Sequence, residues 1–159
     1  MKCNIYSSKN LLQYLFLLMC ILFYTQSAYS QAKTGVKLLA KQDYEGAFTA
    51  FQADLNSDGY EKIVAQYNIA QIYATAEYAN HVNDSAYAYI VKAEEAYNAV
   101  PYDDKKKVQK IDENVKNIKR LKREIAKAAA KYAEETANIN AYNHFLTYYA
   151  GAERVAETK

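Results

Sequence analysis

From residue 31 onward the apolar side chains recur every three or four positions, and no run of strict apolar–polar alternation reaches a convincing length. That spacing stacks side chains on one face of a helix, whereas a strand would need a period of two. The expected fold class is all-α. One proline and four glycines in the whole chain leave few breakers, so the breakers that occur mark the boundaries. A first helix is expected over residues 32–41, with Val36, Leu39 and Ala40 facing inward, followed by a turn at Gln42 and Asp43. A second helix carries Tyr44, Ala47 and Phe51 on one face and ends at the NSDG of residues 56–59. A third, YEKIVAQYNIAQIYATA, has its stripe at Ile63, Tyr67, Ala70, Ile72 and Tyr73. Asn83, Asp84 or Ser85 supplies the N-cap of a fourth, whose face is Ala86, Tyr89, Ile90, Ala93 and Tyr97 and which Pro101 closes.

The pattern lengthens after Asp103. Val108, Ile111, Val115, Ile118, Leu121, Ile125, Ala128 and Tyr132 hold helical spacing without a proline or glycine, which predicts one helix of about 30 residues, well beyond the usual length. The tail then offers Tyr142, Phe145, Leu146 and Tyr149, a stop at Gly151 and the start of another helix at Ala152.

Two helical hairpins are therefore expected within residues 32–100, each with a small residue where its helices cross. Gly35, Tyr44, Ala47 and Phe51 in the first, and Tyr67, Ile69, Ala70, Tyr73, Ala86, Ile90 and Ala93 in the second, fall on the small–large pattern of the tetratricopeptide repeat. The chain resembles a tetratricopeptide repeat protein over about residues 31–101. It departs from the motif at Asp54, where alanine is usual, in an insertion of about four residues in the second unit, and in the late position of Pro101. The tail resembles the Y-x-x-F-[IL]-x-x-Y-x-x-A segments of repeat proteins of bacterial envelopes. The resemblance implies two repeat-like hairpins followed by a long helix and a C-terminal helical segment, an α–α superhelix that binds protein or peptide. Residues 102–159 would hold the long basic helix and a C-terminal hairpin, an incomplete repeat. Because an exposed last repeat is normally capped, the chain is expected to be the N-terminal part of a longer protein or of a shortened gene.

The first 30 residues read differently. Lys2 and Lys9 precede an apolar run over residues 11–24, and Ala28 and Ser30 supply small residues before Gln31. This is the pattern of a secretory signal peptide cut after Ser30, and the run is too short for a spanning helix. Export would place the protein in the periplasm or at the outer membrane of a bacterium. Both cysteines, Cys3 and Cys20, leave with the leader, so neither a disulfide nor a thiolate metal site is expected. Loss of Lys2 and Lys9 reduces 20 basic residues to 18, equal to the acidic count. A near-neutral domain gives no electrostatic case for nucleic acid.

Little of the sequence suggests catalysis. His81 and His144 lie far apart and lack metal-site spacing; they read as one loop and one helix-surface histidine. The acid pairs Glu94–Glu95, Asp103–Asp104 and Glu134–Glu135 are sequential, and neighbours on a helix diverge by about 100 degrees. There is no nucleophile elbow or phosphate loop. The expectation is a non-enzyme without cofactor or metal. Two surface features remain. Ten basic residues stand against three acidic ones between Lys105 and Lys127; Lys116, Lys119, Arg120, Lys122 and Arg123 are the candidates for docking on an anionic surface, although a solvated helix face explains them as well. Thirteen of the 17 tyrosines follow the leader. Most are expected in the core, with Tyr60, Tyr67 and Tyr87 as candidates to line a peptide-binding groove.

Overall fold

The computed structural model describes residues 31–149. The leader, the stop at Gly151 and the helix from Ala152 lie outside the described residues. Seven α-helices and two 3₁₀ turns make up the described chain, with no strand among them: α1 (Ala32–Leu39), α2 (Tyr44–Asp54), α3 (Tyr60–Ala74), α4 (Asn83–Ala99), α5 (Lys105–Ile111), α6 (Ile118–Thr136) and α7 (Ile139–Tyr148). The 3₁₀ turns, Tyr102–Asp104 and Glu113–Asn117, flank α5. The fold is all-α. Consecutive helices pack in pairs from α1 to α4, then α6 lies along α4, α5 along α3, and α7 against α6.

The first hairpin depends on a close approach. Its turn places Gln42 in the left-handed region at φ 62°, and Asp43 caps α2 by accepting a hydrogen bond from the Gly46 amide at 3.0 Å. Ala47 and Phe51 are then fully buried, and Gly35 of α1 faces the Phe51 ring. A Cβ on Gly35 would stand only 2.6 Å from that ring. On α1 the buried residues are Ala32 and Gly35, Val36 and Leu39 are half-buried, and Ala40, expected inside, is exposed at the C-cap.

The seat of Ala47 makes a simple prediction. Ala47→Leu overpacks the contact and is expected to cost about 1–3 kcal/mol, whereas Thr49→Leu on the exposed face should change stability by no more than about 0.5 kcal/mol. Thermal melts that give both variants the same midpoint would contradict this packing direction.

Helix α3 is the centre of the molecule. Every residue from Ile63 to Ala70 is buried, Gln66 and Asn68 included, so burial is wider than the stripe that periodicity indicates. A helix buried all round must be enclosed by neighbours, and α1, α2, α4, α5 and α6 all touch it. Next, α4 begins one residue earlier than a cap at Asn83 would allow. Val82 is the N-cap and makes no side-chain cap bond, so Asn83, Asp84 and Ser85 form the first turn instead. Asp84 is thereby available for contacts outside its own helix.

The single long helix expected after Asp103 is not present. The chain leaves helical geometry at Asp112, with φ −145° and ψ 115°, between α5 and the second 3₁₀ turn. Asp112 is buried and accepts from Asn68 Nδ2 at 2.8 Å and from the Asn114 amide at 2.9 Å. Eight residues before Asn68 and Asp112, the Tyr60 hydroxyl donates to Asp104 at 2.9 Å. The two bonds hold the ends of α5 against α3, with the two helices running in the same direction. Val108, Val115, Ile118 and Ile125 are buried as their spacing suggests, but Tyr132 is 62% exposed rather than inward.

Candidate functional site

The first turn of α4, the C-terminal half of α6 and α7 enclose a pocket of about 360 Å³. Val82, Ala129, Tyr132, Ala141 and Phe145 form its apolar wall, and its polar groups come from His81, Asn83, Asp84, His144 and the edge of Tyr149. Its size lies within the range of small-ligand and side-chain pockets.

Asp84 organises the site. Its Oδ1 accepts from the Tyr149 hydroxyl at 2.7 Å, and its Oδ2 lies 2.8 Å from His144 Nε2. A carboxylate has no proton to give, so Nε2 carries the hydrogen and donates it to Asp84. Tyr148 adds a longer bond to the Asp84 carbonyl at 3.3 Å. Three side chains of the last helical segment therefore converge on one residue of α4. Burial, then the hydrogen bond to Asp84, raises the Tyr149 pKa, so the hydroxyl stays protonated and donating. The Tyr149 ring packs 4.5 Å from the Tyr87 ring, and His144 stacks on Tyr148 at 5.3 Å.

A second, more polar pocket of about 270 Å³ lies on the other side of Asn83, lined by Tyr67, Gln71, Thr75, Arg120 and Glu124 among others. Asn83 borders both, and its Oδ1 is buried without a partner.

The three tyrosine candidates do not share a groove. Tyr67 reaches the second pocket, yet it is 4% exposed. Tyr60 is half-buried and spends its hydroxyl on Asp104. Tyr87 is buried beside Tyr149, so it supports α7 rather than a partner. Burial pushes the Tyr67 hydroxyl up to about 12. The unfolded chain would ionise this group near pH 10 while the folded chain resists, so its contribution is complete below pH 10 and is lost as pH rises toward 12. The expected decline, at about 1.4 kcal/mol per pH unit, is about 2–3 kcal/mol. Urea unfolding of Tyr67→Phe against the parent between pH 9 and 12 checks this: the parent's steeper decline should shrink in the variant.

The basic candidates divide. Lys122 turns inward, bonding Glu94 of α4 at 2.7 Å and lying over the Tyr87 ring. Lys116 pairs with Glu113, and Arg120 lies 3.8 Å from Glu124. Lys119 and Arg123 are exposed and, with Lys127, stand four residues apart along α6, outside every ion pair among the described residues. They form one solvent-facing cationic row.

Sequence reasoning missed the convergence of Asp84, His81, His144, Tyr132 and Tyr149. Asp84 and His144 are 60 residues apart, and neither carries a local signature of the contact. The pocket lining holds no serine, threonine or cysteine that the His144–Asp84 pair could activate. Among the described residues no cluster of three His, Cys, Asp or Glu side chains is placed to hold a metal ion. No family model, curated protein or solved structure matches the chain.

Proposed function

We propose that this protein is an exported, non-enzymatic helical scaffold of the tetratricopeptide-like kind that binds a protein or peptide segment in the cell envelope. The observation that carries the reading is the surface of α7. Its sequence INAYNHFLTY holds no acidic, lysine or arginine residue, and it leaves Ile139, Tyr142 and Leu146 exposed at helical spacing on one face. Exposed Tyr132 and Val82 add to the apolar surface at the neighbouring pocket. Apolar side chains grouped in this way mark contact surfaces rather than solvated ones. The close-packed hairpin of α1 and α2 supports the repeat-like reading, and the signal-like leader supports export.

Selection from a random displayed-peptide library tests it. Peptides enriched on the protein should lose at least about tenfold in affinity when Ile139 and Leu146 are both changed to serine, as expected for removing two apolar anchors at about 1 kcal/mol or more each. Retention of affinity in that variant would remove α7 from the binding surface.

The row of Lys119, Arg123 and Lys127 favours a second reading, docking of α6 on an anionic membrane or polymer. Binding to vesicles rich in anionic lipid should then fall steeply with salt, and Lys119→Gln with Arg123→Gln and Lys127→Gln should abolish it. Vesicle binding that is indifferent to both changes would dismiss it.

A further inference from the structure

We propose that the pocket of Asp84, His144 and Tyr132 receives a lysine or arginine side chain of the bound segment, resting on the peptide-binding reading above. Two features of the pocket lead there. Its one carboxylate is that of Asp84, and Asn83, which also lines it, has a buried Oδ1 without a partner. Such a lining suits a group that only donates, which is the character of an ammonium or guanidinium head. The walls also fit the rest of the side chain. Tyr132, Phe145 and Tyr149 offer aromatic surface for cation–π contact, and Val82, Ala129 and Ala141 can cover an aliphatic stem.

Charge complementarity selects this occupant over an acidic or neutral one. No lysine or arginine lines the pocket, and Lys122, the nearby cation, is committed to Glu94. An acidic side chain would meet Asp84 and be repelled.

Three probes of equal backbone decide the matter: Nα-acetyl-lysine methylamide, the norleucine analogue with the same stem and no charge, and the glutamate analogue. Titrations followed by the methyl resonances of Ala129 and Ala141 at pH 7.5 should give the lysine probe at least fivefold tighter binding than norleucine, with no saturable glutamate binding. The lysine affinity should fall at least threefold in Tyr132→Ala, whose exposed ring carries little of the fold. Equal binding of lysine and norleucine, or preference for glutamate, would overturn the inference. So would butylammonium binding as tightly as the lysine probe, which would make this a site for free amines. Peptides that bind α7 without moving the Ala129 and Ala141 signals would refute the pocket's role and leave the scaffold reading standing; lysine-probe binding with no peptide binding at α7 would do the reverse.

Discussion

Asp112→Ala is expected to destabilise the protein by about 2–4 kcal/mol, among the largest effects of any single polar substitution in the described chain. Three losses add. The Asn68 amide, 2% exposed, loses its charged acceptor and keeps only its bond to the Val64 carbonyl at 3.0 Å. The Asn114 amide loses the cap of the second 3₁₀ turn. A buried donor left unsatisfied costs about 1–3 kcal/mol, and a lost cap about 1 kcal/mol. Asn68→Ala removes the same bond from the other side but leaves Asp112 its bond to Asn114, so it should cost less. Urea unfolding gives both values. A loss below about 0.5 kcal/mol for Asp112→Ala would mean that the break between α5 and α6 does not depend on this contact.

Phe51→Ala should cost about 3–5 kcal/mol, since the ring is fully buried between α1 and α2. The more telling result is the behaviour of Gly35→Ala in its presence. In the parent the added methyl collides with a ring that has nowhere to go, at 2.6 Å, and about 1–3 kcal/mol should be lost. In the Phe51→Ala background the collision is gone, and replacement of a helical glycine should instead gain about 0.5–1 kcal/mol from reduced chain entropy. A change of sign across the cycle would show direct coupling of the two residues. The same cost in both backgrounds would place the source of strain elsewhere.

Much of the helical layout was legible because periodicity and breakers act locally. Asp43 caps α2 and Pro101 ends α4 through contacts within a few residues, and such features can be read from sequence. The fault at Asp112 could not be read in this way. Val108, Ile111, Val115 and Ile118 keep helical spacing across it, because a short 3₁₀ turn preserves nearly the same rhythm. The break coincides with the bond from Asn68, 44 residues earlier. The start of α4 was legible to within a residue, but the N-cap expected at Asn83, Asp84 or Ser85 falls to Val82, and Asp84 bonds α7 instead. The pocket was invisible for the same reason. His81 and His144 look unrelated in the sequence, and only the packing of α7 against α6 and α4 brings them to one cavity. Tyr87 and Lys122 show the converse: both read as surface candidates, and both are taken up by contacts inside the molecule, with Tyr149 and Glu94 respectively.

The central claim is that a partner segment docks at α7 and its adjoining pocket rather than along the basic row of α6. Backbone amide shifts recorded during titration with a selected peptide, at low and at moderate salt, test it most directly. The account predicts shifts concentrated at residues 81–84, 129–132 and 139–149, with saturable binding retained over a range of salt that fully screens exposed charges. Shifts confined to residues 119–127, with binding that disappears as salt is raised, would contradict it.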